Sequence, residues 1–218
     1  TAQADYVILA VPPRPLRAID IDASLPALLR RAIAEIDLGV NEKLIAGFTH
    51  RAWRQPTGFV GEAWTDLGFS ETWDASQRQT QRADGALTFL MGGDEVRRDE
   101  RSIATQAREF IDRLATHIPE VRSAATGEFL RTRWTQNRWI QGAYTNFKPG
   151  QLTRFSACRW VEAEAPAESQ TVRSGRLFFI GEQFSDEFYG FMNGAAQTGR
   201  LAAQALQALV RTRTHAVV

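Results

Sequence analysis

Runs of apolar residues in the first fifty positions predict a strand, a helix and a second strand. Residues 6–11 are continuously apolar and end at a proline pair, which predicts a buried strand with an extended exit. Residues 26–38 carry Leu, Ile and Ala at helical spacing, and Gly39 stands where a C-terminal cap is expected. Residues 42–48 (EKLIAGF) predict the next strand.

The middle of the chain predicts short strands and one long helix. A polar stretch rich in Gly and Trp holds strand candidates at 58–64 and 68–73, and residues 86–91 (ALTFLM) predict a strand ended by two glycines. An apolar stripe at helical spacing predicts a helix over residues 99–117. Residues 128–134 predict another strand.

The last third predicts a loop, a strand and a helix. Residues 161–174 are polar and irregular, residues 177–180 (LFFI) read as a strand inside a parallel sheet, and residues 190–209 predict an Ala-rich helix. We expect the buried strands at 6–11 and 177–180 to share one sheet. Strands and helices between two such strands are typical of a nucleotide-type sheet interrupted by a second domain.

Composition excludes several classes of function. A net charge of +1 and scattered arginines favour a solvated surface and exclude a strong field for nucleic acid. No apolar run approaches the ~20 residues that span a bilayer, so we expect no membrane partner and a soluble protein, cytoplasmic or secreted. Cys158 has no disulfide partner, and His50, His117 and His215 lack the spacing of metal ligands, so no metal is expected.

The beginning of the chain is unusual. Thr1 to Asp5 contain neither an initiator methionine nor a signal-peptide pattern, and they lead directly into the apolar run. Because a domain rarely begins with its most buried strand, we expect a processed or truncated chain whose earlier portion is elsewhere.

The segment from residue 177 to residue 203 carries the candidate chemistry. It predicts a strand, a turn at Gly181, an acid at Glu182, a loop, and a glycine-rich helix start near Met192. Open α/β sheets bind ligands at the carboxyl ends of their strands, and a helix N-terminus favours an anion or a partially negative carbonyl. The same pattern also fits an ordinary strand–loop–helix connection whose glycines serve packing.

This segment resembles the C-terminal flavin-binding motif of the flavin-containing amine oxidase superfamily, which includes monoamine, polyamine and L-amino acid oxidases. Other pieces occur in the family's order: VILAVP at 7–12, Lys43, the RW…W…GAY pattern at 133–144, and FKPGQL at 147–152. The resemblance covers residues 5 to about 210. It implies the α/β and α+β classes, namely the C-terminal part of a two-domain, Rossmann-like FAD/NAD(P)-binding fold with an inserted substrate domain of mixed sheet and helices.

The resemblance also implies a division into domains and a set of partners. Residues 1–13 and 134–210 would belong to the FAD-binding domain, residues 14–133 would form the substrate-binding domain, and 211–218 a tail. The chain lacks the glycine-rich dinucleotide fingerprint. The expected partners are therefore the missing N-terminal FAD-binding portion, a small-molecule amine and, in a homodimer, a second copy.

Residue roles follow from the same resemblance. Glu182 would bond the sugar or phosphate region of the flavin, Met192 would face flavin N1 and the C2 carbonyl, and Trp134 would pack against the rings. Lys43 would be the catalytic residue, holding a water beside flavin N5. The alternatives are a core tryptophan and an edge-strand lysine that points to solvent. The cofactor contacts as a whole would be Trp134, Trp139, Gly181, Glu182, Gly190, Phe191, Met192 and Ala195.

Two aromatic residues would bind the substrate. Tyr144 and Phe191 match the positions that flank the amine in monoamine oxidases, and facing rings stabilise positive charge over their π faces. Ala143 stands where mitochondrial monoamine oxidases place the cysteine that bonds the flavin, so the FAD should be non-covalent. Cys158 is not a substitute for it in the alignment.

The implied reaction is oxidation of an amine to an imine, with dioxygen as acceptor and hydrogen peroxide as product. Within the family, an L-amino acid oxidase is the alternative, and it would need a cation such as Arg51, Arg54, Arg133 or Arg138 for the substrate carboxylate. Acids at Glu62, Asp66 and Glu71 leave a polyamine substrate open. A non-catalytic, partner-binding subunit is the alternative of another class.

Overall fold

The computed structural model describes residues 1–54, 62–97, 101–165 and 168–215. Its strands are β1 Val7–Leu9, β2 Asp37–Leu38, β3 Asn41–Phe48, β4 Ala63–Trp64, β5 Glu71–Asp74, β6 Gly85–Gly92, β7 Ala125–Arg131, β8 Thr145–Asn146, β9 Arg173–Ser174 and β10 Leu177–Phe179. Its helices are α1 Pro13–Arg17, α2 Ala27–Glu35, α3 Asp94–Arg97, α4 Ile103–Leu114, α5 Glu120–Ala124, α6 Gln151–Arg154 and α7 Met192–His215. The mixed α/β content agrees with the sequence prediction.

The chain divides into two units. The first unit comprises Thr1–Gly39 and Arg138–Val218, and the second comprises Val40–Asn137. The sequence predicted the first domain boundary between residues 13 and 14. In the structure, Leu16 of α1 and Leu29 of α2 are buried in the same core as Phe178 of β10, so the first unit continues past that boundary. Which unit would hold a flavin or a substrate stays a prediction.

The first unit contains a three-stranded sheet in the order β1-β10-β9. Strand β1 pairs with β10 in parallel, with Val7 opposite Leu177, so the two strands at 6–11 and 177–180 share one sheet as predicted. Phe178 and Phe179 are fully buried, whereas Val7 and Ile8 are 42% and 43% exposed. The prediction that β1 is buried is therefore wrong, because among the described residues β1 pairs on one side only.

Helix α2 ends earlier than its apolar stripe predicts. The helix stops at Glu35, and Ile36 is extended because residues 37 and 38 form β2, which pairs antiparallel with β8. Gly39 is therefore not a helix cap, and its N–H donates instead to the Tyr144 carbonyl over 2.7 Å. Pairing with a distant strand has overridden a local helical preference.

The second unit is a five-stranded antiparallel sheet in the order β4-β5-β6-β3-β7. Along β3, Glu42, Leu44, Ala46 and Phe48 are buried and the residues between them are more exposed, which is the alternation of a half-covered sheet. Helix α4 is capped by Ser102, whose side chain accepts from the Thr105 N–H, and its predicted stripe packs into the core.

Other predicted elements differ at their ends. The strand predicted at 128–134 begins and ends earlier, as β7, because its register with β3 includes Phe48 opposite Ala125 and stops at Leu44 opposite Arg131. The predicted tail begins as helix, since α7 continues to His215. Parts of the predictions at 58–64, 99–117, 161–174 and 211–218 lie outside the described residues. Among those described, no helix combines the length and apolarity needed to cross a bilayer.

Candidate functional site

The turn after β10 is held on both sides. Gly181 has φ +130°, a conformation that favours glycine, and an added Cβ would lie 2.4 Å from the Gln183 side chain. The Gly181 N–H donates to Thr198 Oγ1 of α7 over 3.0 Å, and buried Gln183 donates from Nε2 to the Val11 carbonyl over 3.0 Å. The turn thus connects the end of β1 to the last helix.

Glu182 connects two loops through one carboxylate. Its Oε1 accepts from the Thr145 N–H over 2.8 Å and from Thr145 Oγ1 over 2.7 Å, and its Oε2 accepts from the Gly190 N–H over 2.6 Å. The sequence expected Glu182 to bond a ligand, and the structure shows three donors from the chain itself. Thr145 follows Tyr144 and Gly190 precedes Phe191, so Glu182 holds the neighbours of both predicted substrate residues.

Replacing Glu182 by glutamine is expected to destabilise the first unit by about 1–2 kcal/mol, because an amide at Oε2 would leave a backbone N–H without its acceptor. Faster hydrogen exchange at the Gly190 amide and a lower urea midpoint would show this loss of stability. Glu187→Gln is the matched control, since Glu187 is exposed and accepts from the Gln197 side chain, at 3.2 Å from Nε2. Equal exchange rates at Gly190 in both variants would contradict the role of Glu182.

The start of α7 is open to solvent. Phe191 and Met192 are 68% and 90% exposed, and Ala195 one turn later is also exposed. The first N–H groups of a helix have no partner within the helix, and α7 is 24 residues long. The exposure of Phe191, Met192 and Ala195 leaves this helix start accessible, which is the geometry that a partially negative group requires.

Several large aromatic side chains of the first unit are exposed, and one of them lies beside Gly190. Tyr144 is 45% exposed, Trp139 is 66% exposed, and the Tyr144 ring lies 3.9 Å from the place of a Cβ on Gly190. Gly190 has φ +83° and faces open space apart from this ring. We call Tyr144, Tyr189, Phe191 and Met192 the aromatic surface. Its exposed rings are accessible to a bound molecule.

Gly194 serves packing within the chain. A Cβ on Gly194 would lie 2.3 Å from the Phe188 carbonyl oxygen and 2.9 Å from Ser185 Cβ. Gly199 has more room, with Ile180 Cδ1 at 3.9 Å. The group that approaches Gly194 closely is another backbone segment, which agrees with the alternative that the glycines serve packing.

Arg159 is a buried arginine that the sequence did not single out. Its Nη1 donates to Asp186 over 2.6 Å, and its guanidinium lies 5.5 Å and 5.2 Å from the ring centroids of Phe147 and Tyr189. Its Nε and Nη2 have no partner among the described residues. Scattered arginines predicted a solvated surface, but Arg159 is 5% exposed and supports Tyr189 beside the Gly190 turn.

Two predicted site residues belong to the second unit. Lys43 lies on β3, which is paired on both sides, so it is not an edge-strand lysine, although it is exposed as that alternative expected. Its side chain is exposed and Nζ lies 5.3 Å from the Trp73 ring centroid. The Lys43 side chain is exposed because β3 alternates and places it on the face opposite the core of the second unit.

Trp134 lies in a 3-10 turn, Trp134–Gln136, just after β7. It is 39% exposed, so the alternative of a core tryptophan is wrong. Both Lys43 and Trp134 are accessible within their unit. Among the described residues, no group of three His, Cys, Asp or Glu side chains is placed to hold a metal ion.

Comparison with known proteins gives a consistent result. The sequence profile of the family described as "Flavin containing amine oxidoreductase" matches residues 1–207. Polyamine oxidase 7 of Oryza sativa subsp. japonica is 26% identical over 204 residues, covering 91% of this chain and 40% of the relative. A flavin-containing amine oxidase of Danio rerio is 27% identical over 214 residues, covering 93% and 37%.

Solved structures share the fold. Cyclohexylamine oxidase from Brevibacterium oxydans IH-35A superposes with a TM-score of 0.79 at 22% identity, covering 94% of this chain and 43% of that one. The chain therefore spans about two fifths of the length of the proteins it matches.

Proposed function

The chain belongs to the family of flavin-containing amine oxidoreductases, and from this premise we propose that it is the C-terminal part of an FAD-dependent amine oxidase. The proposed reaction oxidises the carbon–nitrogen bond of an amine to an imine, with dioxygen as acceptor and hydrogen peroxide as product. In this proposal the fold has two domains, and an N-terminal portion supplies the glycine-rich fingerprint that this chain lacks.

The open start of α7 is the observation that carries the proposal. A flavin that accepts electrons gathers negative charge at N1 and the C2 carbonyl, and exposed helix N–H groups stabilise such charge by about 0.3–1 kcal/mol, more in a buried site. Met192 stands at this helix start and is 90% exposed, so its backbone can approach a planar ring. Glu182 holds the preceding turn through Gly190.

FAD fits the residues that the chain offers. When bound, it would supply the redox chemistry, taking two electrons from the carbon beside the amine nitrogen and passing them to dioxygen. The chain would contribute shape and polarity: Gly181 and Glu182 at the sugar or phosphate region, Met192 at the ring, Trp134 packed on the ring face, and Lys43 holding a water. Trp139, Gly190, Phe191 and Ala195 complete the proposed contacts.

The proposed attachment of FAD is non-covalent. Ala143 has no nucleophile, and Cys158 is buried in the core of the first unit. Burial raises the pKa of the Cys158 thiol, which keeps it protonated at neutral pH.

Tyr144 and Phe191 would hold the amine. Their neighbours Thr145 and Gly190 share the Glu182 carboxylate, which supports a fixed distance between the two rings. Two rings at a fixed spacing admit a narrow amine and favour the positive charge that develops as an imine forms. In this arrangement Tyr144 offers a hydroxyl to the amine, and Phe191 on the opposite side offers only its ring.

The whole protein that contains this chain tests the proposal. Purified protein should be yellow, release FAD on denaturation, and form hydrogen peroxide with putrescine or benzylamine. A colourless protein that produces no peroxide with any amine would favour the other class of function, a partner-binding subunit without its own flavin.

An L-amino acid oxidase remains the alternative because of Arg138. Arg54 is paired with Asp74 and Arg51 donates to two backbone carbonyls, so neither is free for a carboxylate. Arg138 is exposed and stacks 4.1 Å from the centroid of the exposed Trp139 ring, five residues before Ala143. This alternative would be established if the protein oxidises amino acids but not simple amines, and if Arg138→Met abolishes the oxidation of amino acids.

Lys43→Met is expected to slow reoxidation of the reduced enzyme by dioxygen roughly 10- to 100-fold, because a hydrogen bond to a charged group contributes about 1.5–3 kcal/mol. Stopped-flow absorbance separates this step from reduction by the amine, which should change less. Lys148→Met removes the same charge from an exposed lysine and serves as control. Equal reoxidation rates in the two variants would remove Lys43 from the mechanism.

A further inference from the structure

Glu42 is a buried acid that the proposed mechanism does not use. It is 2% exposed and lies on β3, on the core face of the second unit. Among the described residues, no lysine or arginine forms an ion pair with it. A buried charge without a counter-charge is costly, and it persists only where hydrogen bonds satisfy it. The identity of those hydrogen-bond donors indicates what Glu42 does.

In the part of the chain that the structure describes, the donors to Glu42 come from the segment that carries Trp134. Thr132 Oγ1 donates to Oε2 over 2.6 Å, the short distance of a hydroxyl bonded to a carboxylate. Thr135 donates to Oε1 from its hydroxyl over 3.2 Å and from its N–H over 3.4 Å. The carboxylate thus holds the chain on both sides of Trp134, two residues before it and one residue after.

The same interactions fix the backbone at Lys43. Thr132 Oγ1 accepts from the Lys43 N–H over 2.8 Å, and the Thr132 N–H donates to the Lys43 carbonyl over 2.9 Å. The regular pairing of β3 with β7 ends one residue earlier, at Arg131. Thr132 therefore continues the pairing with its side chain, and its hydroxyl is oriented by Glu42.

We propose that Glu42 is a positioning residue, whose buried carboxylate sets both the orientation of Trp134 and the backbone of Lys43 from the core side of the sheet. Among the described residues, no hydrogen bond or ion pair joins Glu42 to either side chain, so it acts through Thr132 and Thr135. The structural part of this proposal stands on the hydrogen bonds alone. Its catalytic consequence rests on the proposed function, in which Trp134 and Lys43 face the flavin.

A methionine at position 42 separates positioning from stability. Methionine has a similar length and fills the same space, and it removes every acceptor, so some stability is lost together with the hydrogen bonds from Thr132 and Thr135. We expect Glu42→Met in the full protein to remain folded while residues 132–137 lose order. Glu42→Gln should be intermediate, because its carbonyl still accepts from Thr135 and its amide can donate to Thr132 Oγ1.

Two measurements that do not depend on a cofactor report the order of residues 132–137. Hydrogen exchange of the peptide covering 132–137 should become at least about tenfold faster in Glu42→Met, since the Thr135 N–H loses its acceptor. The emission of Trp134, obtained as the difference between the protein and its Trp134→Phe variant, should shift to the red and become easier to quench. Glu128→Met is the matched control, because Glu128 is an exposed glutamate of β7.

Kinetics give the catalytic consequence. If Trp134 is misplaced, kcat should fall about tenfold in Glu42→Met while KM for the amine changes less, because orientation rather than binding is lost. Unchanged exchange and unchanged Trp134 emission in Glu42→Met would overturn the proposal, whatever the thermal stability. If Glu42→Met cannot be obtained folded, Glu42→Gln and Thr135→Val carry the same test.

Failure of the wider proposal is distinguishable from failure of this one. A protein without flavin or peroxide production would refute the amine oxidase function. The exchange and fluorescence of residues 132–137 would still decide whether Glu42 positions Trp134.

Discussion

Replacing Gly194 by alanine is expected to destabilise the first unit by about 3 kcal/mol, the upper end of the cost of forcing an extra carbon into packed structure. The new Cβ would lie 2.3 Å from the Phe188 carbonyl oxygen, and a backbone atom cannot rotate out of the way as a side chain can. Either the start of α7 or the loop at residues 185–188 must move. We therefore also expect weaker FAD binding, because the open helix start would be displaced.

Urea unfolding of the full protein, together with FAD titration, measures both effects. Gly199→Ala is the matched control in the same helix, where the nearest atom is Ile180 Cδ1 at 3.9 Å. Alanine there should stabilise by about 0.5–1 kcal/mol, the gain of replacing glycine inside a helix. Similar unfolding midpoints for the two variants would show that the helix start does not depend on the absence of a side chain at position 194.

Removing the carboxylate of Asp74 is expected to cost about 3 kcal/mol in the second unit, since it leaves buried donors without an acceptor. The Asp74 side chain is 2% exposed at the end of β5. It accepts from the Ser76 N–H over 2.8 Å, from Ser76 Oγ over 2.6 Å and from Arg54 Nη2 over 3.0 Å. Asp74→Ala should therefore loosen the connection between β5 and β6.

The effect should depend on pH in a defined direction. Burial alone would raise the pKa of Asp74, but the hydrogen bonds from Ser76 and the charge of Arg54 outweigh it, and the pKa lies below its usual value. A carboxyl whose folded pKa is depressed stabilises the fold above its unfolded pKa, about 3.9. This stabilisation is lost as the pH falls through the lower, folded pKa.

Urea unfolding of the protein and of Asp74→Asn at pH 7, 5, 4 and 3 tests this direction. The difference between them should be constant from pH 7 to pH 5 and shrink below about pH 4. Asp84→Asn is the control, because Asp84 pairs with Arg82 on the exposed surface and should change stability little. A difference that grows toward acid pH would contradict the assignment.

Local periodicity predicted the elements that have a regular apolar pattern. The stripe of Ile103, Ala107, Phe110, Ile111 and Leu114 predicts α4, and the structure buries the last four and leaves Ile103 partly exposed. The run at 42–48 predicts β3 within one residue. Helical and strand periods are properties of neighbouring residues, so they are readable without knowledge of the remaining chain.

The sequence pattern also identified the family through ordered motifs, and the match over residues 1–207 confirms it. The pattern did not determine which way side chains face. Lys43 was expected within an apolar strand and is exposed, because the alternation of β3 relative to its neighbours places it opposite the core. Val7 and Ile8 were expected to be buried and are half exposed, because β1 has one partner strand among the described residues.

Contacts between distant positions were decided only by the tertiary structure. Glu182 meets Thr145 across 37 positions, and Glu42 meets Thr132 across 90. A carboxylate has no sequence period, and its partners depend on which loops the fold brings within about 3 Å. Periodicity and motif order were sufficient to predict most of the long helices and strands, the family and the candidate helix start. The roles of Glu182 and Glu42 depend on how elements far apart in the chain pack, because hydrogen bonds are short-range and form only after that packing.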